Sequence, residues 1–179
     1  MSCSSNTFDK CYIGIYSAPL GTLALKTISS YIALNKFDCN GLLKPAYLGQ
    51  VDYPSGFGNP DVPERITFAG VALYNVAQSL IGLYSVGGNV FNGIRNGIIT
   101  FRGSSGTSAN IVKNLKGSYF HPTFPNLQSG VGIYNLSTLT NIHTYNNMDD
   151  ASNGILVHDS RNGYIYVQNN NIKNLELPL

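Results

Sequence analysis

Asn153-Gly-Ile-Leu-Val-His-Asp-Ser-Arg-Asn-Gly-Tyr-Ile-Tyr-Val-Gln-Asn-Asn-Asn-Ile-Lys-Asn174 sets aliphatic residues at alternate positions, the period of a β-strand. Ile155 and Val157, then Ile165 and Val167, point one way, while Leu156, His158, Tyr164 and Tyr166 point the other. Ser160-Arg-Asn-Gly163 and Asn169-Asn-Asn171 are turn signals, because Asn and Gly tolerate left-handed backbone and Asn bonds its own main chain. Upstream, Val131 and Ile133 continue the aliphatic face, with Tyr134 opposite and Asn146-Asn147 at a further turn. Strands this short bury little alone. Stacking successive passes of the chain about 4.8 Å apart pairs their backbones, extends one aliphatic column and lets Asn side chains form ladders. The expected fold class is all-β, a parallel β-helix or β-solenoid with Ile133, Ile155, Val157, Ile165 and Val167 lining its inside.

Self-similarity supports a repeat. A word of small residue, aliphatic, Tyr, then Ser or Asn occurs at Gly14-Ile-Tyr-Ser17, Ala72-Leu-Tyr-Asn75, Gly82-Leu-Tyr-Ser85 and Gly132-Ile-Tyr-Asn135. Gly70-Val-Ala-Leu-Tyr-Asn75 matches Gly130-Val-Gly-Ile-Tyr-Asn135. Both are followed by Asn-Gly-Ile, at Asn96-Gly97-Ile98 and Asn153-Gly154-Ile155. The two blocks close on Asn110-Ile-Val-Lys-Asn-Leu115 and Asn171-Ile-Lys-Asn-Leu175. Turn-rich stretches at 52–63, 103–108 and 121–125 separate the blocks.

The chain has 179 residues, the size of one domain, and only 11% of them are charged, so uncharged Asn, Ser, Thr and Gly supply its polarity. That balance disfavours long surface helices and suits strands and turns. A net charge of +2, with scattered basic residues, gives no nucleic-acid groove. The most apolar stretch, 66–86, carries Asn75, Gln78 and Ser79 at its centre, which argues against a membrane span. Cys3, Cys11 and Cys39 have no metal-ligand spacing and read by default as free buried thiols, with oxidation of one pair outside the cell left open, and no cofactor or metal is expected. The opening residues lack a signal-peptide pattern.

Residues 1–60 are expected to form an N-terminal cap or assembly region, helical or irregular, preceding a solenoid region at 61–179. Leu20, Leu23, Ala24, Ile28, Tyr31 and Ile32 follow a helical stripe within 18–34. Asp61-Val-Pro-Glu64 has the form of a capping box that would start a helix through 62–74. Alternation favours a strand over 71–75 instead.

The wording of 153–174 resembles the repeating unit of right-handed parallel β-helix proteins of the pectate-lyase-like superfamily, which includes many bacteriophage tailspikes. The resemblance spans 130–175, is fainter over 70–115 and is absent from the first sixty residues. It implies the fold more than the function. Enzymes of that superfamily use many more repeating units than this length supplies.

The carboxylates Asp149, Asp150 and Asp159, with His143, His158 and Arg161 nearby in sequence, are the ingredients of a glycosidase or polysaccharide lyase. If both histidines project outward, they come close to the acids. Against that, Asp commonly occupies turns for local reasons, leaving solvent-facing histidines beside them. Gly88 to Gly93 has the outer spacing of a P-loop, but Ile94 and Arg95 stand where Lys and Ser or Thr belong. Tyr134, Tyr145, Tyr164 and Tyr166, interleaved with Asn, form an outward aromatic set suited to sugar rings or a partner protein. Asn135-Leu-Ser137 matches a glycosylation acceptor.

These readings lead to a non-enzymatic virion component of a bacteriophage: a fibre, spike or decoration subunit, assembled in the host cytoplasm. Its expected partners are other copies of itself, other virion proteins and a host-surface glycan. The rivals are a carbohydrate-active enzyme using Asp149, Asp150 or Asp159 with His158, and a bacterial surface adhesin or carbohydrate-binding module at the cell surface.

Overall fold

The computed structural model describes residues 1–18, 26–39, 67–115, 130–136, 138–149, 153–158 and 163–173. Those residues form strands and turns, with no helix among them. In chain order the strands begin with β1 (Ser2–Ser4), β2 (Thr7–Asp9), β3 (Ile13–Ser17), β4 (Lys26–Ala33) and β5 (Lys36–Asp38). The middle of the chain gives β6 (Ala69–Ile81), β7 (Val90–Asn92), β8 (Asn96–Ser108) and β9 (Ile111–Lys113). The last are β10 (Val131–Leu136), β11 (Asn141–Thr144), β12 (Asn147–Asp149), β13 (Asn153–His158), β14 (Ile165–Gln168) and β15 (Asn171–Lys173).

All pairings between these strands are parallel. The larger sheet runs β1-β4-β6-β8-β10-β13, with β3 joined to β6, β11 to β8 and β14 to β11; the smaller runs β15-β12-β9-β7-β5-β2. β6 and β8 are long enough to serve two parts of the larger sheet. They bend at Asn75 (φ 53°) and at Arg102-Gly103 (φ 50° and 140°), where the register slips between Val76 and Gln78.

The tight turn between the sheets explains part of the Asn content. Asn6, Asn35, Asn89, Asn110, Asn146 and Asn170 form a ladder in which each Nδ2 donates to the next Oδ1 at 2.9–3.0 Å. Each backbone N–H donates to the same Oδ1 at 2.9–3.2 Å. In five of the six cases the preceding residue, Ser5, Leu34, Ala109, Tyr145 or Asn169, is left-handed, with φ between 55° and 60°. That conformation costs a non-glycine residue roughly 1–2 kcal/mol, which the ladder bonds offset. Before Asn89 stands Gly88, where an added Cβ would lie 2.0 Å from the carbonyl oxygen of Ala109, so only glycine fits.

Between the sheets, large residues of one face small residues of the other. Along the smaller sheet Phe8, Phe37 and Phe91 stack with centroids 4.8 and 4.7 Å apart, matching the spacing of paired strands. The same column continues through Val112, Met148 and Ile172. Opposite it, the larger sheet carries Gly14, Gly70, Gly97, Gly132 and Gly154, whose missing side chains make the room. Ile15, Val71, Ile98 and Ile133, aligned in register, complete this core. A Cβ on Gly70 would stand 2.4 Å from Phe91, so Gly70→Ala is expected to cost about 2–3 kcal/mol of stability by overpacking. Urea unfolding would measure it; a loss under about 0.5 kcal/mol would mean that the sheets do not pack this tightly.

Several sequence expectations are corrected. The helix expected within 18–34 is instead β4 over its described part, 26–33, and the strand reading of 71–75 prevails in β6; residues 61–66 lie outside the described residues. Parallel pairing overrides the apparent helical stripe, because Tyr31 and Ile32 align with Leu80 and Ile81. The ladder and both sheets also begin in the first forty residues, where the sequence showed no resemblance. The six-residue repeat match is displaced by two: Ile133 aligns through Ile98 with Val71, so Gly132 corresponds to Gly70. A shift of two keeps every side chain on its face, which is why the wrong match looked right. The Gly82-Leu-Tyr-Ser85 copy lies in a tight turn closed by Leu83 and Gly87.

Candidate binding face

The inward positions of the larger sheet change from apolar to polar along its length. Cys3, Ile32, Ile81, Thr107, His143 and Val167 form one register column. Thr107 and His143 are buried within it. Asn135 Oδ1 accepts from Thr100 Oγ1 at 2.5 Å and Ser105 Oγ at 3.0 Å, leaving its Nδ2 to face His143 Nε2 at 2.7 Å. An amide N–H can only donate, so Nε2 accepts, and the proton of the neutral ring sits on Nδ1, 2.9 Å from Thr107 Oγ1. Burial pulls the His143 pKa down to about 4, keeping the ring neutral.

A hydroxyl beside an imidazole is the start of a nucleophile–base pair, but this one is sealed inside the core. Its chemistry is structural. The expectation that His143 projects outward is therefore corrected. Asn135, also buried and fully engaged, is closed to glycosylation.

Outward, the second half of the larger sheet carries a different surface. Leu80, Gly106, Ile142 and Tyr166 align in register, with Leu80, Ile142 and Tyr166 exposed. A polar row of Ser108, Thr144 and Gln168 runs beside them, in which Thr144 Oγ1 donates to Ser108 Oγ at 3.3 Å and Tyr166 Oη donates to Gln168 Oε1. At the adjoining turn, Tyr145 meets Tyr84 with centroids 4.3 Å apart, and Tyr84 is 69% exposed. Tyr145 is held there by its left-handed φ of 56° and by the ladder bond of Asn146 that follows it. Tyr164 is also exposed, just ahead of β14. Aromatic planes bordered by hydroxyls and an amide give a shallow surface with apolar contact and hydrogen-bond capacity together.

Tyr134 does not share this surface. It is buried with Tyr74, Ile99 and Phe101 on the outer side of the other half of the sheet, and burial pushes its phenol up to about 12. Of the acidic candidates, Asp149 closes β12 in the smaller sheet, while His158 ends β13 in the larger, paired with Leu136. Asp150, Asp159 and Arg161 lie outside the described residues. Among the described residues no three His, Cys, Asp or Glu side chains gather to hold a metal ion.

No family model, curated protein or solved structure matches this chain.

Sequence reasoning missed Tyr84, Leu80 and Ile142 as members of the face. Tyr84 sits in a repeat word that reads as strand, and its contact with Tyr145 spans most of two repeats. The alternation in Asn141-Ile-His-Thr144 did offer Ile142 as the residue facing away from His143. The three thiols carry no disulfide, and burial raises the pKa of Cys39.

Proposed function

We propose that the chain is a parallel β-solenoid serving as a non-enzymatic structural protein of a bacteriophage virion, a fibre, spike or decoration subunit, whose Tyr84–Tyr145 and Tyr166 surface meets a host-surface glycan. The observation that carries the reading is the Asn ladder: one side-chain position recurs at intervals of 29, 54, 21, 36 and 24 residues while backbone register is kept throughout. A repeat that absorbs such unequal intervening segments is a rigid rod with replaceable surface, which is what a virion appendage requires. The tailspike-like wording of 153–174 and the low charge support the same reading.

Purified protein passed over immobilised bacterial surface polysaccharides tests it. The expected result is retention without depolymerisation, weakened about tenfold by Tyr145→Ala or Tyr84→Ala. Release of shortened or unsaturated sugars would overturn the reading in favour of an enzyme. Retention unaffected by either substitution would remove this face from it.

A further inference from the structure

The two ends of the stacked strands are complementary to each other. Every ladder asparagine from Asn6 to Asn146 gives its backbone N–H and an Nδ2 hydrogen to the Oδ1 that follows. At the last rung, Asn170 Nδ2 donates to the carbonyls of His143 at 2.8 Å and Gln168 at 3.2 Å, as Asn35 Nδ2 does to those of Cys3 and Ala33, but no Oδ1 follows it among the described residues. Among the described residues, no acceptor meets the backbone N–H of Asn170 and no donor meets Asn6 Oδ1. One end thus offers donors and the other an acceptor.

The edges agree with this polarity. β2 and β15 are the two outer strands of the smaller sheet, and all its pairings are parallel. Carrying the ladder from Asn170 to Asn6 of another copy sets Asn171 opposite Thr7, Ile172 opposite Phe8 and Lys173 opposite Asp9, the offset kept between Asn146–Asn170 and Asn147–Asn171. Ile172 would extend the column of stacked Phe8, Phe37 and Phe91, and Val167 would meet Cys3 in its own column. Val167 is 50% exposed and Ile172 37%, an apolar edge left uncovered. The charges match as well: Asp9 stands beside Asp38, a like-charged neighbour, and Lys173 would lie on its other side.

We propose that these ends form an interface: β14 and β15 of one copy receive β1 and β2 of the next, head to tail. The proposal rests on the solenoid reading above and deepens it by naming the contact through which copies assemble. Such a contact is heterologous, so it propagates into an open filament unless its rotation closes a ring.

Sedimentation at rising protein concentration and low salt tests it, using the intact chain and the exposed-end variants Asp9→Lys and Lys173→Asp. The expected result is mass that grows with concentration for the parent chain and association weakened about tenfold in each variant alone. Mixing the two variants is expected to restore association, because each junction then again joins opposite charges. A parent chain monomeric at every concentration would overturn the interface. So would single variants that assemble like the parent, or a mixture no better than its parts. Glycan retention measured on the same samples separates the two readings: retention without assembly overturns the interface alone, and assembly without retention overturns the glycan contact alone.

Discussion

Asn110→Ala is expected to lower stability by about 3 kcal/mol. Asn110 is buried, and its Nδ2 donates to Ile81 O at 2.7 Å and to Asn146 Oδ1 at 2.9 Å. Its Oδ1 receives the backbone N–H and the Nδ2 of Asn89, both at 2.9 Å. Alanine removes all four bonds: the Asn89 backbone N–H and one Nδ2 hydrogen lose their acceptor, while the other Nδ2 bond, to Ile32 O at 3.0 Å, remains, and the Ile81 carbonyl loses one donor. Each orphaned group costs about 1–3 kcal/mol, and partial relaxation keeps the sum near the lower end. Asn6, exposed at the end of the ladder, provides the comparison: Asn6→Ala is expected to cost about 1 kcal/mol. Urea midpoints for both variants give the test. Equal losses would mean that the ladder is not a cooperative element of the fold.

Between pH 7 and pH 4 the fold is expected to lose about 3 kcal/mol through His143 alone. The folded pKa of about 4 lies below the ordinary 6.5, so the unfolded chain binds this proton first. No penalty exists above pH 6.5; stability falls as pH drops from there toward 4, and it levels below. Protonating Nε2 would also set one N–H against another at Asn135 Nδ2. Asp38 acts in a separate window. The hydrogen bond and ion pair from Lys36, 3.2 Å away, hold its carboxyl below the usual range, and that contribution fades only under still more acid conditions. Unfolding of the parent and of His143→Gln from pH 4 to 7 makes the measurement. A parallel pH slope in the variant would clear His143 of the effect.

The strand content was legible in the sequence because Asn, Gly and β-branched residues at a two-residue period leave little else to form. Face assignment was legible where a strand has the same partner on both sides: Ile133 is buried and Ile155 packs against the core, as alternation required. It broke down at strands whose surroundings are set by distant chain. Ile165 and Val167 share the face of buried Asn141 and His143, yet lie exposed because β14 ends its part of the sheet. Tyr134 alternates correctly but points into a second apolar cluster that period alone cannot announce. His143 was misread for a related reason. A polar residue in an apolar column reads as outward-facing until Thr107 and Asn135, 36 and 8 residues away, are known to satisfy it. Of the candidate surface, the tyrosines at 145, 164 and 166 were accessible to sequence reasoning; the partner Tyr84 was not.

The residue before the ladder asparagine, left-handed at five of the six turns and glycine at the other, and the asparagine itself confine the geometric demands of a rung to two adjacent positions. Between the rungs the paired strands keep register while the segments joining them differ in length, and the intervals of 21 to 54 residues show how widely. A foreign peptide grafted between β9 and β10 would leave both neighbouring strands paired as before. A ladder built this way would let surface segments be exchanged without redesigning the frame that carries them.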